Sequence, residues 1–197
     1  MKFVATPLSG AWIVDLEPRE DERGFFARAF CQDEFAAHGV APAVSQANIS
    51  MSHRAGTVRG LHFQYPPVAE TKFIRCISGA VHDVVVDLRP ASPTFLQHVG
   101  VELTARNRTA LTVPPGCAHG FMALEDATEV LYLVSERYQP AEEGGLRHDD
   151  PALEIIWPRP ATVLTDKDRS WPDLATQRAT IASRMAVLPD QSETGHQ

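Results

Sequence analysis

Two blocks of this 197-residue chain concentrate side chains able to move protons or hold a ligand. The first is Arg59-Gly-Leu-His-Phe-Gln64, followed by Glu70-Thr-Lys72 and a glycine at position 79. The second is Pro114-Pro-Gly-Cys-Ala-His-Gly120. Each carries one histidine, whose ordinary titration near neutrality suits it to act as acid, base or metal ligand. Taken one at a time, the same residues have plain structural readings. His62 is then a satisfied strand histidine, Lys72 a solvated edge lysine, and Tyr132 in Val130-Leu-Tyr-Leu-Val134 a core aromatic. The elements around them decide between these readings.

Those elements are mostly strands. Apolar runs at 44–51, 58–63, 72–77, 81–88, 98–103, 110–113 and 130–134 are broken by Gly, Pro and Asp, the punctuation of an all-β chain. In Val81-His-Asp-Val-Val-Val-Asp-Leu88, Asp83 and Asp87 lie four apart and so share one strand face. Helix patterns occur twice, at Asp33–His38 ahead of Gly39 and around Leu174–Met185. Many short strands with peripheral helices argue for a sandwich or barrel. Residues 1–188 read as one domain, and 189–197 as a polar tail.

Composition narrows the function classes. Hydrophobic residues make up 44% and charged residues 22%, the balance of a chain that folds around a core. A net charge of -7 argues against a nucleic-acid binder, which would carry a basic surplus. Cys31, Cys76 and Cys117 form an odd, sparse set that suits a reducing compartment. The first residues lack a run of signal-peptide length, and no stretch approaches the ~18 apolar residues of a membrane span. A soluble cytoplasmic protein without membrane partners is expected.

An early strand histidine, with a Pro-x-Gly-x-x-His block some way downstream, resembles the paired motifs of the cupin superfamily. That resemblance implies a double-stranded β-helix, the small jelly roll, with short peripheral helices. Many cupins bind a divalent metal, and the candidates here would be His62, Gln64, Glu70 and His119. Gln64 stands where a second histidine belongs, and an amide oxygen is a weak transition-metal ligand beside imidazole.

A narrower resemblance covers most of the chain, from about Arg23 to Trp171. Besides the two blocks it includes Asp21-Glu-Arg-Gly-Phe-Phe26, Asp83-Val-Val-Val-Asp-Leu-Arg89, Ser92-Pro-Thr-Phe95, Glu129-Val-Leu-Tyr132, Asp149-Asp-Pro151 and Ile156-Trp-Pro158. In that order they are similar to the dTDP-4-dehydrorhamnose 3,5-epimerase family. The resemblance implies inversion of carbons beside the ketone of a nucleotide-linked 4-keto-6-deoxyhexose, on the route to rhamnose-like sugars, by a homodimer without cofactor or metal. Such chemistry needs a base, a group to stabilise the enolate oxygen, and an acid on the opposite face. The resemblance assigns these roles to His62 with Asp168 as its carboxylate partner, to Lys72, and to Tyr132. It offers Arg23, Gln46, Asn48, Arg59, His119, Tyr138, Glu143 and Lys167 for binding, with an N-terminal strand reaching the partner copy. Two arginines suit a pyrophosphate, and Gln46 and Asn48 alternate onto one strand face, where amides read sugar or base edges.

The chain departs from the family pattern at Arg28, where a Glu is usual, at Ala47, where an Asp is usual, and at His82, usually apolar. Two other classes are weighed beside the epimerase. A metal-dependent cupin oxygenase or isomerase would hold its ion at His62, Glu70 and His119. A sugar-binding cupin would bind ligand without exchanging its protons.

Overall fold

The computed structural model describes residues 1–40 and 43–188; the expected polar tail lies outside the described residues. In chain order the elements begin with β1 (Lys2–Ala5), β2 (Trp12–Asp15), β3 (Arg19–Asp21), β4 (Gly24–Phe26), α1 (Gln32–Ala36) and β5 (Gln46–Ser52). They continue with β6 (Val58–Gln64), β7 (Lys72–Ser78), β8 (Ala80–Asp87), β9 (His98–Thr104) and β10 (Ala110–Val113). The remainder are β11 (Cys117–Ala123), β12 (Thr128–Val134), β13 (Glu143–Gly145), α2 (Asp166–Ser170) and α3 (Leu174–Met185).

Two antiparallel sheets face each other. One has the order β1-β2-β10-β7-β12-β5, the other β13-β6-β11-β8-β9, and β3 and β4 form a separate hairpin. Non-consecutive neighbours in both sheets make the crossed connectivity of a jelly roll, as the sequence implied. Between the sheets pack Ile74 and Cys76 from β7, Val81 and Val85 from β8, Leu111 and Val113 from β10, Phe121 from β11 and Val130 from β12. The strands alternate, so the even positions of β8 face outward. There Val84 and Val86, with Leu61, Phe63 and Ala118, meet Leu174, Ile181 and Met185 of α3. Both faces of the five-stranded sheet are thus buried, which explains the unbroken valine run.

The outer face of the other sheet is partly covered by α1, whose Phe35 seats against Val14, Phe73 and Ala110. Burying such a side chain contributes about 1.5–3 kcal/mol. At the opposite end of the chain, Asp150 accepts the backbone N–H of Leu174 at 2.5 Å. The Asp149-Asp150-Pro151 segment therefore fixes the start of α3, and with it the loop that carries α2. No helix among the described residues is long and apolar enough to cross a membrane.

Candidate active site

The sheets leave an opening between β5, β7 and β12 on one side and β6, β11 and β13 on the other. It has two lobes, of about 310 Å³ and about 550 Å³, in the range of small-molecule sites. Both lobes are lined by His62, Lys72 and Tyr132. Those three side chains therefore stand at the junction.

Their convergence follows from register. Inward positions alternate along each strand, and Tyr132 pairs across to Asn48 on one side and Ile74 on the other. The next inward row brings Val134 beside Gln46 and Lys72. On β6, simple alternation would send Arg59 and His62 to opposite faces. Instead β6 bulges: His62 pairs with His119 and Arg59 with Phe121, so an extra β6 residue intervenes. Both side chains then line the same lobe. Gly60 makes the bulge possible, with φ +118° and a position where a Cβ would lie 2.6 Å from the Gly120 Cα.

Asp168 reaches His62 from α2. Thr165 caps that helix by accepting the Asp168 N–H at 3.1 Å, and Asp168 Oδ1 lies 2.6 Å from His62 Nε2. Burial pushes the Asp168 carboxyl up. Hydrogen bonds from His62, Thr165 and the Gly60 backbone outweigh that effect and hold it below its ordinary range. An ionised carboxylate only accepts, so Nε2 carries the imidazole proton and Nδ1 keeps its lone pair. Trp171 stands edge-on to the His62 ring at 6.4 Å; its indole packs where a Cβ on Gly145 would have to go.

A second imidazole–carboxylate pair lies beside the first. His119 Nε2 contacts Asp83 at 2.9 Å, and Asp83 is fully buried on the inward face of β8. Asp87, on the same face as expected, instead binds Arg89, Ser92 and Thr94. Lys72 is not the solvated edge lysine of the residue-by-residue reading. It is largely buried and donates to Glu70 Oε1. Tyr132 packs against the inter-sheet core and also lines both lobes, so its two readings describe its two ends. Burial first, and then the Glu70 carboxylate, push its phenol above the ordinary value, against a pull from Arg59.

At the rim of the smaller lobe, Glu143 accepts from Tyr138 Oη at 2.8 Å and Lys167 Nζ at 2.5 Å. Burial raises the Glu143 carboxyl, but these two bonds prevail and lower it. Gln64 is buried and donates to the carbonyls of Val68 and Arg137 while accepting the N–H of Gln139. It thereby braces the loop that presents Tyr138. Of the residues considered for a metal, Glu70 is held by Lys72 and Gln64 by backbone groups, whereas each histidine meets its carboxylate through Nε2, His62 with Asp168 and His119 with Asp83. Among the described residues no group of three His, Cys, Asp or Glu side chains is placed to hold an ion.

The opening gathers every residue given a catalytic or binding role in the sequence reading except Arg23. Arg23 sits in the turn of the β3–β4 hairpin, 85% exposed and paired with Asp21, because that hairpin belongs to neither large sheet. Of the three departures, Arg28 pairs with Glu34 at 2.7 Å, Ala47 alternates away from Gln46 and Asn48, and His82 faces outward against Trp157. None of the three lines the opening. Sequence reading passed over Thr165 and gave Glu70 only as a metal ligand. The Thr-x-x-Asp capping pattern was the available signal for the former.

Comparison with known proteins is consistent with this geometry. The family model described as dTDP-4-dehydrorhamnose 3,5-epimerase matches residues 5–176. A dTDP-4-dehydrorhamnose 3,5-epimerase of Sinorhizobium fredii is 44% identical over 170 residues, covering 85% of this chain and 87% of that protein. A dTDP-4-dehydrorhamnose 3-epimerase of Streptomyces niveus is 41% identical over 170 residues, covering 86% and 82%. The crystal structure of dTDP-4-dehydrorhamnose 3,5-epimerase from Bacillus anthracis, with TDP and PPi bound, superposes with a TM-score of 0.84 at 42% identity, covering 88% of this chain and 99% of that one.

Proposed function

Because this chain belongs to the dTDP-4-dehydrorhamnose 3,5-epimerase family and is an epimerase, we propose that it inverts C3 and C5 of a dTDP-linked 4-keto-6-deoxyhexose through an enolate. The observation that supports this reading is the meeting of His62, Lys72 and Tyr132 where the two lobes join. His62 Nδ1 removes the proton from the carbon beside the ketone, and Asp168 stabilises the imidazolium that results. Lys72 stands as a cation for the oxygen that becomes negative. Tyr132, whose phenol is held above its ordinary value, keeps its proton at neutral pH and delivers it to the other face of the enolate. Proton removal and return balance without electron transfer, so the scheme calls for no redox cofactor and no metal.

Gln46, Asn48, Arg59, His119, Tyr138, Glu143 and Lys167 bind the nucleotide sugar in this reading. The exposed ring of Tyr138 stacks on the base, and Arg59, braced by a 2.8 Å bond to the Met51 carbonyl, meets the pyrophosphate. Arg23 reaches a site only in a homodimer, where the hairpin of one copy extends to the other. Its exposure, and that of Phe25 and Phe26 beside it, supports that arrangement.

Inversion at a single carbon is the second reading, favoured by the similarity to a 3-epimerase at 41% identity. Proton NMR of dTDP-4-keto-6-deoxyglucose in D2O, with EDTA present, tests both. Deuterium at C3 and C5 supports double epimerisation, deuterium at one carbon makes the enzyme a single epimerase, and no incorporation defeats the proposal.

A further inference from the structure

Glu70 lines the smaller lobe yet has no task in the scheme above. It ends the loop that enters β7, two residues before Lys72, and its Oε1 accepts from the Lys72 ammonium. Both side chains are largely withdrawn from water, Glu70 at 9% and Lys72 at 14% exposure. An ammonium on a flexible four-carbon stem has three N–H donors and no fixed direction. One donor tied to Glu70 leaves the others with a defined aim.

We infer that Glu70 is a positioning residue of the proposed epimerisation, holding Lys72 through one N–H so that the remaining donors meet the substrate's carbonyl oxygen at the lobe junction. The inference rests on the epimerase reading. A carboxylate there also opposes negative charge on the enolate, so its benefit has to be geometric. The magnitudes favour it, because misplacing a reacting group by about 1 Å costs about 10²-fold in rate.

A second effect falls on Tyr132. The charged and titratable groups lining the two lobes with it are Glu70 and Lys72 from the β7 side, Arg59 and His62 from β6, His119 from β11, Tyr138 and Glu143 at the rim, and Lys167 and Asp168 from α2. After burial, Glu70 is what raises the Tyr132 phenol, while Arg59 lowers it. Removing the Glu70 charge therefore lets Tyr132 ionise at lower pH.

The test compares wild type with Glu70→Gln, which keeps an acceptor but loses the charge, and Glu70→Ala, which loses both. Steady-state kinetics with dTDP-4-keto-6-deoxyglucose, calorimetric affinity for dTDP and thermal melts are measured on each. In Glu70→Ala kcat falls about 10- to 100-fold with KM and dTDP affinity unchanged, and Glu70→Gln loses less. In both, the alkaline limb of the kcat profile moves to lower pH. If Glu70→Ala does not fold, the isosteric Gln variant carries the test through that limb. Unchanged kcat, a KM rise matching the kcat loss, or an unmoved alkaline limb overturns the inference. A wild-type enzyme that exchanges no deuterium removes the epimerase reading itself. Wild-type exchange matched by Glu70→Ala removes only the role of Glu70.

Discussion

Replacing Asp168 with Asn separates orientation of His62 from everything else the opening does. The amide has almost the volume of the carboxylate, and the α2 cap survives because it is the residue 168 backbone N–H that donates to Thr165 Oγ1. What changes is the partner of His62 Nε2, 2.6 Å away. A carboxylate forces the proton onto Nε2. An amide can offer its own N–H instead, which places the proton on Nδ1 and removes the lone pair aimed at the substrate. Asp168 is 3% exposed, so water has little room to substitute. The loss approaches that of a general base, about 10²- to 10⁴-fold in kcat, or about 3 to 5 kcal/mol of barrier.

KM stays level, because Asp168 reaches the ligand only through His62. The variant also reports on stability. The folded-state pKa of Asp168 is lowered, so its ionisation stabilises the fold above the ordinary carboxylate pKa, and that contribution fades as pH falls through the lowered value. The stability gap between wild type and Asp168→Asn in urea melts is therefore widest at neutral pH and narrows in acid. Turnover of Asp168→Asn within a few-fold of wild type would refute the claim that this carboxylate sets the base.

Two other substitutions probe the remaining groups. Tyr132→Phe keeps the ring in the inter-sheet core and removes the proposed acid, so epimer formation slows more than deuterium exchange into substrate; equal slowing in the same NMR time course assigns the acid elsewhere. Gln64→Ala strips three backbone groups of their buried partner, costing about 1–3 kcal/mol and loosening the loop of Tyr138. Thermal melts should fall and dTDP affinity weaken together, and unchanged dTDP affinity would show that Gln64 does not brace the nucleotide lobe.

The sequence announced the strands whose interiors are apolar on both faces, which is why the run at 81–88 reappears as β8 with only its ends moved. It concealed β11, because Cys117-Ala-His-Gly120 is built of small residues that fit between sheets yet resemble a turn. It concealed β13 as well, a three-residue edge strand with two glycines. α2 was hidden because its five residues are polar and its one buried side chain is Asp168.

For the site, alternation along β5 correctly placed Gln46 and Asn48 together. No periodicity could reveal that Arg59 and His62 face one lobe, since a bulge at Gly60 reverses the parity between them. The pairing of His62 with Asp168 spans 106 residues and was legible only through family resemblance. Gln64 stood where a metal ligand was expected. A side chain's chemistry does not disclose that its hydrogen bonds are spent on a neighbouring loop.

His62 is the proposed base. His62→Ala, incubated with dTDP-4-keto-6-deoxyglucose in D2O and followed by proton NMR, is the most direct test of that role, with dTDP affinity measured on the same sample. In this variant no deuterium enters at C3 or C5, while dTDP still binds. Deuterium entering at a rate near wild type would contradict that role and assign the base to another residue of the opening.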